Sequence, residues 1–137
     1  MGVLSSGKTQ HFDCCIRRFE SCHPCQRKEQ FMKINVLGTE YDIKVDDTTF
    51  LESINADGLH KNYEKEILIR GLDGFLCPDD SKTAKENRKN EVLRHEIIHA
   101  FFSESGLDDY CGNEQLVNWL AIQFPKMQKA FEQANCL

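Results

Sequence analysis

Residues 95–99 read His95-Glu96-Ile97-Ile98-His99. They lie in a run, from about Ser81 to Ser105, that predicts one long helix: Lys82, Lys85, Glu86, Arg88, Lys89 and Glu91 give solvated first turns, and Gly106 gives a stop. Residues four apart on a helix stand one above the other, so the two imidazoles project to a common point with Glu96 beside them. This is how two metal ligands and a carboxylate base are placed on one helix. Val92, Leu93, Ile97, Ile98, Ala100, Phe101 and Phe102 make the same stretch apolar nearly all round and predict that it runs through the interior. Polar groups there need partners. Hydrogen bonds to neighbours would serve, and so would a metal ion.

Working outward, the second half of the chain continues in helices. Ser103–Gly112 reads as a polar loop carrying Tyr110 and Cys111. Asn113 can cap a second helix reaching about Gln123, with Leu116, Trp119, Leu120 and Phe124 as its buried face. Pro125 predicts the start of a further helical segment, in which Met127, Ala130 and Phe131 recur at helical spacing.

The first half is strand-rich. Lys33–Leu37 and Glu40–Val45 flank Gly38-Thr39 and predict an antiparallel hairpin, since Tyr41, Ile43 and Val45 alternate with polar residues. The segment 46–59, with its Asp57-Gly58 break, reads as a short helix or an irregular connection. A third strand covers 65–71, where charges flank Ile67-Leu68-Ile69. Such flanks suit an exposed sheet edge, whereas the unbroken apolar run suits a strand buried on both faces. Pro78-Asp79-Asp80-Ser81 is a helix-start signal. The expected fold is α+β: a small antiparallel sheet packed on the His95–His99 helix, then a glutamate-bearing helix and a C-terminal one.

Length and composition set the frame. At 137 residues the chain suits one domain with one core. Residues 1–31 stand apart as a polar segment with five basic and three acidic side chains, against twelve basic and nineteen acidic in 32–137. An acidic body disfavours nucleic acid as a partner. No stretch reaches the length of a membrane span and no apolar secretion signal opens the chain, so a cytoplasmic setting is expected. The seven cysteines fit it, being odd in number and partly scattered. In the leader, Cys22-His23-Pro24-Cys25 has the spacing of half a zinc site and Cys14-Cys15 could complete it. An alternative is that Met32 is the biological start and that 1–31 is a gene-call extension or a disordered leader.

A catalytic metal on His95 and His99 needs a third ligand. Metzincins, with a third His six residues on, do not fit, because Ser105 stands there. Peptide deformylases use a Cys, for which Cys77 and Cys111 are available, but their glycine-rich and cysteine motifs are absent. The segment Asn113-Glu114-Gln115-Leu116-Val117-Asn118 resembles the glutamate helix of gluzincins, the thermolysin-like peptidases, and the strand-rich approach to the His-Glu helix is similar to the ImmA/IrrE peptidases of phages and mobile elements. The resemblance covers roughly residues 64–124. It implies a zinc endopeptidase acting on a protein or peptide substrate, with zinc on His95, His99 and Glu114, Glu96 as general base, and Tyr110 as the phenol available to an oxyanion. Where that family often has an Asp orienting a ligand His, this chain has Asn118. In gluzincins a sheet-edge strand before the active-site helix receives the substrate backbone, and Lys65–Arg70 is the expected equivalent. Two other readings stay open: Glu114 as an ordinary acid favoured by a helix dipole, and the whole chain as a non-catalytic zinc-stabilised binding module.

Overall fold

A computed structural model describes residues 32–78 and 80–137, so the leader, with its cysteine pairs and the Met32 question, lies outside the described residues. The fold is α+β, a four-stranded sheet with helices. Strand β1 (Met32–Val36) pairs antiparallel with β2 (Thr39–Asp46). The turn between them is Leu37-Gly38, one residue earlier than the sequence suggests, with φ 51° and 90°. Positive φ at both central residues matches the twist of a two-residue hairpin, and Asn35 Oδ1 accepts the Gly38 N–H at 2.9 Å.

The sheet is mixed, which corrects the expectation of a purely antiparallel one. After a four-residue helix, α1 (Phe50–Ser53), come β3 (Gly58–Lys61) and β4 (Glu66–Arg70), and the strand order is β1-β2-β4-β3. β4 runs parallel to β2, with Ile43 opposite Ile67 and Val45 opposite Ile69, and antiparallel to β3. A crossover through 47–57 carries the chain past β2's other neighbour, so the next hairpin enters with β4 inward. The Ile67-Leu68-Ile69 strand is therefore central, not the edge. Burial of Ile67 and Ile69 is what holds it there, and its flanking charges are paired: Glu66 takes Lys44 and Lys61 (2.9 Å), and Arg70 donates to the Ala56 carbonyl at 2.9 Å. The edge on this side belongs to β3, whose first two residues fall in the stretch read as irregular; with only Gly58, Leu59, His60 and Lys61, it is too short to display a period of two.

A 3-10 turn (Leu72–Gly74) leads to α2 (Lys82–Glu104). Ser81 caps it by accepting the Ala84 N–H, and Gly106, at φ 70°, ends it, with the Leu107 N–H returning to the Phe102 carbonyl at 2.9 Å. The core lies between one face of α2 and the sheet: Val92 and Ala100 pack with Val36, Tyr41, Ile43, Ile67, Ile69 and Phe75. A short helix α3 (Asp108–Cys111) turns the chain into α4 (Glu114–Gln133), capped by Asn113, whose Oδ1 accepts the Leu116 N–H at 3.1 Å. α4 is one helix, where the sequence predicts two, and Pro125 sits inside it. Proline deprives the carbonyl four residues back, that of Ala121, of its N–H donor. Arg94 of α2 supplies one instead, its Nε–H donating to Ala121 O at 2.7 Å. No helix among the described residues is long and apolar enough to cross a membrane.

Candidate metal centre

Helix periodicity brings His95 and His99 to one side of α2, with their Nε2 atoms 3.0 Å apart. The α3 turn then delivers Glu114, the first residue of α4, onto both: Oε2 lies 3.1 Å from His95 Nε2 and Oε1 3.2 Å from His99 Nε2. Protons alone serve this arrangement poorly. With both Nε2 atoms protonated, two N–H groups face each other across 3.0 Å; with one bare, the pair makes a hydrogen bond, but the bare nitrogen then faces a Glu114 oxygen, lone pair to lone pair. A cation satisfies all three groups at once. Tetrahedral donors with metal–ligand bonds of ~2.0–2.1 Å stand roughly 3.3 Å apart, close to the spacings here. His95, His99 and Glu114 can thus hold a metal ion. Two imidazoles and a carboxylate suit zinc and also other borderline divalent ions, so the donor set does not name the metal. Glu114 is largely exposed, which leaves the centre open toward solvent.

Glu96 is buried beside this group. Burial pushes its carboxyl up to about 7, with the Glu114 charge adding to the rise and a hydrogen bond from the His60 backbone N–H opposing it. A buried carboxyl beside the three donors stands where it can accept a proton and give it back. The space it occupies is kept by Gly58: a Cβ there would stand 2.8 Å from Glu96 Cγ and Oε1 and from Val92 Cγ1. A cavity of about 220 Å³, lined by Asp57, Gly58, Arg88, Glu91, Glu96 and Asn118 among others, opens beside His95. Another, of about 480 Å³, lies on a different face of α2, between Ile97, Ile98, Phe101, Phe102, Leu120 and Phe124, and contains no ligating group.

Three further side chains surround the centre, of which the sequence offers only Cys111, and that as a possible ligand. The His60 ring lies parallel to that of His99, centroids 6.4 Å apart, with its Nε2 3.3 Å from the Tyr41 hydroxyl. Tyr41 in turn donates to Glu104 at 2.7 Å, and Thr39 (2.9 Å) and Lys65 hold the same carboxylate. Burial, followed by repulsion from His99, lowers the His60 pKa, so a neutral ring is favoured. Cys111, at the end of α3, lies against His99. None of these three carries a spacing signal, because strand pairing and a loop bring them in. Tyr110 is not joined to the triad by any described contact; half-exposed, it packs its ring on Phe102 at 6.0 Å. Asn118 lines the cavity next to His95 without a described hydrogen bond.

The chain matches no protein-family model, no curated protein and no solved structure.

Proposed function

We propose that the chain is a zinc-dependent endopeptidase whose metal is held by His95, His99 and Glu114. The observation that carries this reading is the juxtaposition of a three-donor metal centre with a buried carboxyl, Glu96, directly under an unpaired sheet edge. A metal site serving only to brace the fold needs no such carboxyl, which weighs against the binding-module alternative.

Zinc, when bound, supplies a Lewis acid that acidifies water and polarises a carbonyl. The chain's own groups do the rest. Glu96 takes the proton from the attacking water and hands it to the departing amine, a role suited to a carboxyl raised toward neutrality. β3 orients the substrate. The Arg70 N–H donates to the Asp57 carbonyl at 2.9 Å, and in an antiparallel ladder this turns the Gly58 and His60 backbone groups away from β4. The His60 amide is engaged by Glu96, leaving the remaining outward groups of β3 to pair with an extended peptide. This moves the peptide-binding role from Lys65–Arg70, which is central, to Gly58–Lys61. Tyr110 stays a proposed oxyanion donor only through a rotation that brings its phenol off Phe102.

The test is made on the full chain. Zinc content is measured for wild type, His95→Ala and His99→Ala, and cleavage is followed by mass spectrometry on a mixed peptide library. Wild type should hold zinc in a manner dependent on both histidines and cut the library. Glu96→Gln should keep the zinc and lose at least ~10²-fold in rate. Undiminished cleavage by Glu96→Gln would overturn the assignment, and a zinc content that neither histidine substitution lowers would remove the site.

A further inference from the structure

Resting on the reading of His95, His99 and Glu114 as metal ligands, we propose that Cys111 is a positioning residue for the metal: it holds the His99 imidazole so that Nε2 faces His95 and Glu114. The two ligand histidines are not held alike. Every described contact of the His95 ring is through Nε2 or the ring itself, to His99 and Glu114. His99 is gripped from the other side as well. The Cys111 thiol donates to the His99 backbone carbonyl at 3.5 Å, Sγ lies 3.7 Å from His99 Nδ1, and the Cys111 backbone also bonds the imidazole.

The chemistry of ligation explains why such a grip matters. A metal takes the nitrogen that carries no proton, so the proton of a neutral ring must reside on the other nitrogen and find an acceptor there. Nδ1–H of His99 faces Cys111, whose sulfur, having spent its own proton on the His99 carbonyl, offers lone pairs. The ring of His60 lies parallel to the imidazole, 6.4 Å away between centroids. Sγ itself is not among the converging donors, so the thiol acts behind the ligand and not as one. Its place is fixed locally: the α3 turn closes with the Cys111 N–H donating to Leu107 O at 2.9 Å, between the ends of the two ligand helices.

The experiment uses the full chain with Cys14, Cys15, Cys22 and Cys25 changed to serine, so that only thiols of the described residues remain. Zinc affinity is measured by competition with a chromophoric chelator, and the imidazole N–H protons of the zinc-loaded protein are observed by NMR. Cys111→Ala should weaken zinc binding by ~10-fold and speed the exchange of the His99 Nδ1–H, then left to the Cys111 backbone alone, while Cys111→Ser, which keeps a donor and lone pairs, should retain the wild-type affinity and exchange. Cys111→Val fills the thiol's volume without polar groups and should behave as alanine does, which separates positioning from packing and supplies the measurement if the alanine protein does not fold. Wild-type affinity together with wild-type exchange of the His99 Nδ1–H in Cys111→Ala or Cys111→Val overturns the proposal. Failure of the metal reading looks different: the parent protein then takes up no zinc, or keeps it in the absence of His95 and His99.

Discussion

Gly58 shows how closely single residues are set around the centre. Its φ is not in the left-handed region, so alanine fits the backbone, and the obstacle is the 2.8 Å approach to Glu96 and Val92. Gly58→Ala should therefore displace the Glu96 carboxyl or push β3 off α2, lowering stability by ~1–3 kcal/mol and, under the proposed peptidase reading, cleavage by at least ~10-fold with zinc content unchanged. Cleavage and melting measured together check this, and an unchanged rate would show that Glu96 has room to spare. At this scale the sequence was legible where one helix does the arranging. His95, Glu96 and His99 follow from the 3.6-residue period, and Glu114 from its place at the start of the next helix, though its approach to both imidazoles could only be expected. Gly58 and His60 were not legible, and Cys111 was legible only as a possible ligand and not as the neighbour of His99, since nothing in their local spacing says which distant side chain each will meet.

Among the elements, the pairing of α2 with α4 carries the site, and Arg94 is the joint. Arg94→Ala leaves the buried Ala121 carbonyl without a donor, which should cost ~1–3 kcal/mol of stability. Pro125→Ala restores the helical N–H that this carbonyl lacks, so it should recover part of the loss in the Arg94→Ala background. A double-mutant cycle from urea unfolding measures the coupling, and strictly additive effects would show that the two residues do not serve the same carbonyl. Pro125 also explains why the helix was read as two: a proline is a sound local sign of a break, and the guanidinium that removes the break comes from thirty-one positions earlier in the chain. Reading β4 as an edge failed for a related reason. Its charged flanks look exposed, but Lys44 and Lys61 neutralise Glu66, and Asp57 lies 3.6 Å from the Arg70 guanidinium.

Over the whole molecule, the α+β class and the placing of the sheet before the helices followed from periodicity, whereas the parallel β2–β4 pairing did not, since strand order depends on where a crossover lands. The far end of α2 is tied to that sheet through Glu104. The Lys65 ammonium, then the Tyr41 and Thr39 hydroxyls, hold its carboxyl down to about 2, against an ordinary value of 4.5. A lowered folded-state pKa means that this contribution to stability is complete above about 4.5 and is lost as pH falls toward about 2. Glu104→Gln should lower the urea midpoint at pH 6 and flatten its decline between pH 5 and pH 2.5; an unaltered pH slope would show that other carboxylates govern acid unfolding. The Arg94 bond has a consequence of another kind. It fastens α4 to α2 one residue before His95 and seven after Glu114, so the aperture between the donors is set by the scaffold before any ion enters. Helices held at this spacing suit ions with bonds near 2 Å better than calcium, whose bonds are ~2.3–2.6 Å and which prefers six or more oxygens to two imidazoles.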